Sequence, residues 1–118
     1  MENHKLVMPE NLSHYGYLFG GELLKWVDEY AWIAASLDYP GCHFVTIGMD
    51  RVEFKKSIKQ GTILKFVVEQ SGEGNSSVSY KVSVLKDNPQ AKQKEQVFST
   101  QVSFVNTDKH GIKKKLQK

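Results

Sequence analysis

Apolar residues cluster in one long helical pattern followed by a series of alternating segments. From Gly20-Gly21 to about Leu37, apolar side chains recur at helical spacing, and Pro40-Gly41 closes the pattern. Wound at about 100° per residue, Leu23, Leu24, Trp26, Val27, Tyr30, Ala31, Ile33, Ala34, Ala35 and Leu37 fill an arc of roughly 200°. A helix on an ordinary surface shows a narrower stripe. This one is expected to be covered on most sides, by its own sheet and by a second subunit, with Lys25, Glu29 and Ser36 on its polar side.

The remaining segments read as strands. Lys5–Met8 is a short apolar run stopped by Pro9, and residues 10–19 form a loop. Residues 43–54 are rich in Val, Thr, Ile and Phe. Residues 62–70 place Leu64, Phe66 and Val68 on one face, and 76–85 align Val78, Tyr80, Val82 and Val84. Between them, residues 71–75 read as a hairpin turn. A polar stretch, Asp87 to Gln93, precedes a last strand over 97–105. The order β-α-β-β-β-β with short turns predicts antiparallel pairing and a two-layer α+β domain.

Length and composition narrow the class. The 118 residues suit one domain, with 40% apolar and 25% charged residues and only nine Gly and three Pro. That excludes disordered and collagen-like chains. The single Cys42 excludes an internal disulfide and a paired-cysteine metal site. The uncharged run Tyr30–Leu37 is too short to span a bilayer, and the chain opens on nothing resembling a secretory signal. A reducing, cytoplasmic location is therefore expected. The net charge of +3 is uneven: residues 109–118 hold five lysines and no acid, leaving eleven cationic and thirteen anionic side chains in residues 1–108. This divides the chain into one domain, 1–108, and a basic tail, 109–118. It argues against a nucleic-acid-binding face, which needs a basic stripe on the fold itself. The tail reads either as solvated and frayed or as a lysine cluster that meets a phosphorylated ligand.

Two features carry candidate chemistry. Asp28 falls at the edge of the apolar arc, beside Leu24, Ala31 and Ala35. A carboxylate there reaches water, pairs with Lys25, or is used. Gly20-Gly21 at the helix start either serves loop geometry or exposes backbone N–H groups, aided by the helix dipole, to a carbonyl oxygen gaining charge. No GxSxG, HExxH, GxxxxGK[ST] or GxGxxG pattern occurs. His4, His14, His43 and His110 are scattered, with His14 nearest the glycine pair. Gly21 and Asp28 lie seven residues apart, about 10 Å along a helix axis. One chain's pair therefore does not easily serve one reacting group. Two antiparallel helices do, which predicts a two-fold homodimer with two composite sites.

The run Asn11-Leu12-Ser13-His14-Tyr15-Gly16-Tyr17-Leu18-Phe19-Gly20-Gly21, followed by Leu23-Leu24-Lys25-Trp26-Val27-Asp28-Glu29, resembles the hotdog-fold acyl-CoA thioesterases and their NHxG-x-LFGG…LL-x-W-x-DE pattern. Val45 to Phe54 and then Gly61 match that family's next strand and turn. The likeness covers residues 5 to about 105. It implies a five-stranded antiparallel sheet wrapped around one long helix and hydrolysis of fatty acyl-CoA to free acid and CoA. It implies no metal and no cofactor. Asp28 would be the catalytic carboxylate, as general base or nucleophile, and Gly20 and Gly21 would polarise the thioester carbonyl. The family's Asn before His, which helps place the water or the thioester, is Ser13 here, with Asn11 two positions earlier; the change implies catalysis that is slowed at Ser13, re-routed through Asn11, or lost. Ser57 stands where Pro is frequent, and Asn75 where Arg is common.

The acyl chain is expected to run between the two helices, near Leu24, Val27, Tyr30 and Ala31. His14 is expected to line the substrate site. Lys55, Lys56, Asn75, Ser76, Ser77 and Lys113–Lys115 are candidates for the anionic nucleotide of CoA. Assembly beyond the dimer, to a hexamer, would fit the family. The departure at Ser13 keeps a second reading open, a hotdog module that binds acyl-CoA without cleaving it. A third, a dehydratase acting on hydroxyacyl thioesters, would need a well-placed histidine, and only His14 is near.

Overall fold

The computed structural model describes residues 1–90 and 93–117. The predicted loop over 87–93 and the tail over 109–118 thus extend in part outside the described residues. Among the described residues, five strands and one α-helix follow in the order β1 (Glu2–Leu6), α1 (Gly20–Asp38), β2 (Phe44–Phe54), β3 (Ile63–Glu73), β4 (Ser77–Lys86) and β5 (Glu95–Asn106), with a 3-10 turn at Pro9–Asn11 before α1. All strand pairs are antiparallel, in the spatial order β1-β3-β4-β5-β2. The helix packs on one face of this sheet, as the α+β hotdog expectation requires.

Alternation places Leu64, Phe66, Val68, Val78, Tyr80, Val82, Val84, Phe98, Val102 and Phe104 inward, all buried. Against them α1 lays a single stripe of Leu23, Trp26, Val27, Ala31, Ala34 and Ala35. The edge of Trp26 meets the Phe66 ring at 6.4 Å. Pro40 ends the helix by forcing Tyr39 out of the α region, to φ −133 and ψ 71. The rest of the wide apolar arc is not covered within one protomer: Leu24, Tyr30 and Ile33 are half-buried, and Trp32 and Leu37 are exposed. Strand β2 is likewise bare. It is an edge strand of 11 residues whose Val45, Ile47, Val52 and Phe54 are exposed. A long apolar edge left unpaired is a template for another strand.

The tail is tied down instead of frayed. Thr107 bridges Lys113, the Lys114 N–H donates to the Asn106 carbonyl, and the Leu116 N–H donates to the Asn75 carbonyl. Asn106 Nδ2 donates to the Lys115 carbonyl at 3.0 Å, and the Gln117 N–H reaches Cys42 Sγ at 3.3 Å. Asp108 pins the turn by accepting from the N–H groups of His110 and Ile112 at 2.8 and 3.0 Å. Those bonds, the one from Ile112 above all, hold its carboxyl below the ordinary carboxylate range. A carboxyl lowered by folding stabilises the fold above its unfolded pKa and loses that contribution as pH falls through the folded one. Acidification below the ordinary carboxylate range should therefore lower the protection of the His110 and Ile112 amides relative to their intrinsic exchange rates. Asp108→Ala should do the same at neutral pH, while exchange in β4 stays slow.

Candidate active site

The loop before α1 is built by its own polar side chains. The Met8 N–H donates to Asn11 Oδ1 at 2.8 Å and the Phe19 N–H donates to the Asn11 carbonyl, so Asn11 staples both ends of the loop. Ser13 to Tyr17 then forms a tight hairpin. The Gly16 N–H donates to the Ser13 carbonyl, and Gly16 sits at φ +89, where a side chain would be strained. Ser13 Oγ accepts the Tyr15 N–H at 3.2 Å. His14 is exposed, its ring against Tyr15 at 4.0 Å. The Leu18 N–H donates to the Ile58 carbonyl at 2.7 Å, which ties the loop to the turn after β2.

This loop delivers the helix start without a side-chain cap. The N-cap residue is Phe19, which has no group to offer the first amides. Its carbonyl takes the N–H groups of Glu22 and Leu23. The amides of Gly20 and Gly21 take no partner among the described residues, so two donors at the positive end of the dipole stay available. A Cβ on Gly21 would lie 2.9 Å from the Phe19 ring, and one on Gly20 would lie 3.5 Å from the Phe54 ring. Only at Gly21 does a side chain crowd its neighbour, Phe19; at Gly20 the Phe54 ring stands at ordinary contact distance.

Two turns further on, Asp28 is half-buried and accepts a hydrogen bond from Thr46 Oγ1 on its Oδ1 at 2.7 Å. Among the described residues no ion pair joins it to Lys25. Thr46 is the site residue that the sequence reasoning missed. Its place is set by the register, in which Thr46 pairs with Phe104 and shares the inward face with Phe44.

Beside Gly20 opens a cleft of about 570 Å³. Buried Leu18, Leu23 and Ile58 form its floor, Tyr17 and Phe54 its walls, and Lys55 and Lys56 its rim. Lys56 is bonded to Glu95, whose carboxyl it holds below the usual range, so Lys55 carries the rim's uncompensated charge. The residues of the expected acyl route divide within one protomer. Val27 and Ala31 are fully buried against the sheet and line no open path, because they belong to the stripe that forms the core; Leu24 and Tyr30 remain half-buried.

The other expected nucleotide contacts lie elsewhere. Asn75–Ser77 and Lys113–Lys115 gather at the helix C-terminal end, where Asn75 and Asn106 hold the tail. Lys55 and Gly20 are at the opposite end, the ten-residue length of β4 away, about 30 Å. One protomer brings together Gly20, Gly21, Lys55 and Lys56, holds Asp28 two helical turns beyond, and does not bring the hairpin and tail to them. Among the described residues there is no cluster of three or more His, Cys, Asp or Glu able to hold a metal, and no helix long and apolar enough to cross a membrane.

Comparison with known proteins completes the description. The family model of the thioesterase superfamily matches residues 15–92. Acyl-coenzyme A thioesterase 11 of Mus musculus is 30% identical over 101 residues, which are 86% of this chain and 17% of that protein. YkhA of Bacillus subtilis, an uncharacterized acyl-CoA thioester hydrolase, is 30% identical over 105 residues, 89% of this chain and 60% of the relative. The chain thus spans less than two thirds of each of these relatives. Among solved structures, the acyl-CoA hydrolase of Staphylococcus aureus in complex with butyryl coenzyme A, coenzyme A and coenzyme A disulfide superposes with a TM-score of 0.89 at 31% identity, covering 99% of this chain and 71% of that one. A hexameric hotdog fold thioesterase of Campylobacter jejuni gives a TM-score of 0.85 at 30% identity, with 98% and 88% covered.

Proposed function

The chain belongs to the thioesterase superfamily, and on that premise we propose that it hydrolyses fatty acyl-CoA to free fatty acid and CoA, at sites shared between two copies of itself. The observation that carries this reading is the pair of unspent amides at Gly20 and Gly21 together with a carboxylate, Asp28, oriented by Thr46. The amides polarise the thioester carbonyl and hold the oxygen as it becomes an oxyanion. Asp28 Oδ1 is held by Thr46, which leaves Oδ2 to take the proton from the attacking water. Collapse of the tetrahedral species breaks the C–S bond, and the thiolate of CoA leaves and is protonated. As a nucleophile, Asp28 would instead form an anhydride that water then opens.

The seven-residue separation of Gly21 and Asp28 supports a composite site. So do the bare β2 edge and the uncovered half of α1. Two β2 strands pairing antiparallel would bring the hairpin and tail of one copy toward the Lys55 end of the other. A homodimer is the minimal unit, and a hexamer is its natural extension, as in the Campylobacter relative. In such a dimer Lys113–Lys115 reach the CoA nucleotide. Changing all three to Gln, which keeps the backbone strap, should raise KM several-fold for CoA esters and leave KM for short non-CoA thioesters unchanged. Equal effects on both would remove the phosphate role. A cytoplasmic setting accords with Cys42 as a free thiol.

One observation favours a second reading, an acyl-CoA-binding module without turnover. The Ser13 hydroxyl accepts the Tyr15 amide and Asn11 Oδ1 accepts the Met8 amide, so both candidate water-placing oxygens have local bonds. A thiol-release screen over acyl-CoA esters, beside calorimetry with the same esters, decides between the two. CoA release supports the hydrolase, and tight binding with no release supports the module.

A further inference from the structure

A thioester carbonyl held at Gly20 and Gly21 would sit beside the cleft that Gly20 helps to line. The cleft's chemistry is graded. Its floor of Leu18, Leu23 and Ile58 is buried and apolar, while cationic Lys55 stands at the rim. An alkyl chain suits the floor and an anionic diphosphate suits the rim. Along α1, Val27 and Ala31 are 0% exposed and offer an acyl chain no surface. The cleft's volume, about 570 Å³, lies within the usual range for one small ligand.

One wall is a single ring. Phe54 ends β2 on the inward side, opposite Phe98, and leans on that buried ring at a centroid distance of 4.9 Å. Its other edge closes over Gly20 at ordinary van der Waals distance. The ring is 54% exposed, so it borders the cleft and is backed by the core without being part of it. We propose that this cleft is the acyl pocket and that Phe54 limits the chain it accepts, which makes the substrates short- to medium-chain acyl thioesters. The proposal rests on the thioesterase reading above.

The test compares wild type, Phe54→Ala, Phe54→Leu and Phe54→Trp. Turnover is measured with acetyl-, butyryl-, octanoyl- and palmitoyl-CoA. Binding of the matching S-alkyl-CoA thioethers, which are not hydrolysed, is measured by calorimetry. Wild type should favour chains well below palmitoyl. Phe54→Ala should raise the palmitoyl-to-butyryl ratio of kcat/KM by at least ~10-fold, the scale at which a pocket senses added methylenes. Phe54→Leu should move it less in the same direction and Phe54→Trp should lower it. Thioether affinities should follow the same order. A wild type that prefers palmitoyl-CoA, or a chain-length profile that no Phe54 variant moves in either measurement, overturns the proposal. If no ester releases CoA yet thioether affinity still tracks residue 54, the hydrolase reading fails and the pocket assignment stands.

Discussion

Asp28→Asn should lower kcat for acyl-CoA hydrolysis at least ~100-fold, the usual scale for a group that moves a proton in the transition state, while the melting temperature stays close to wild type. The substitution is nearly isosteric. The amide oxygen of Asn still accepts from Thr46 Oγ1, so the side chain keeps its place beside β2. What it loses is basicity and nucleophilicity, and both proposed roles fail together. KM should change little, because the carboxylate does not hold the anionic nucleotide. Thr46→Val makes the complementary change, keeping the carboxylate but releasing it from its partner, and should cost about 10-fold in kcat, at the lower end of what positioning contributes. Thiol-release kinetics and a thermal melt measure all of these. An Asp28→Asn enzyme that turns over like wild type removes Asp28 as the catalyst.

The helix was legible because its signals are local. A 3.6-residue stripe and a proline after the last turn lie within 20 positions of each other, and α1 ends where Pro40 requires. Strand ends were less so. The apolar run over 5–8 pointed to a first strand there, yet β1 is the polar Glu2–Leu6. It pairs on one side only with β3, and backbone bonds to that neighbour matter more at an edge than side-chain polarity. Val7 is indeed buried, but its N–H and carbonyl bond to the Thr62 carbonyl and Gly61 N–H, beyond the strand end. Residues 71–75 looked like a turn because they hold two glycines. Instead β3 runs on to Glu73, with Gly72 opposite Ser79 after a bulge that absorbs the extra residue. The site divides in the same way. Gly20, Gly21 and Asp28 belong to one motif and one helix. Thr46, 18 residues from Asp28, depends on which strand lies over the helix. The separation of Lys55 from Asn75 depends on which end of the sheet each turn occupies, and no local pattern encodes that.

Gly20→Pro should reduce kcat ~10²- to 10³-fold, the cost of losing one oxyanion donor, with little loss of stability. The backbone tolerates the change. Gly20 is the first helical residue, where proline's fixed φ suits the helix and its N–H has no intrahelical partner to lose. Phe19 before it is already extended, at φ −69 and ψ 130, the region that a following proline demands. The added Cβ meets Phe54 at ordinary contact distance. Proline therefore removes a donor while leaving its surroundings nearly intact. Mixing then tests the shared site directly. If Gly20 of one copy works with Asp28 of the other, Gly20→Pro and Asp28→Asn protomers, unfolded together and refolded at equal amounts, form mixed dimers in which one of the two sites has both groups. Half of the dimers are mixed, so activity should return to about a quarter of wild type although each parent is nearly inactive. A mixture no more active than its parents would place both groups of each site on one chain, or in no shared site at all.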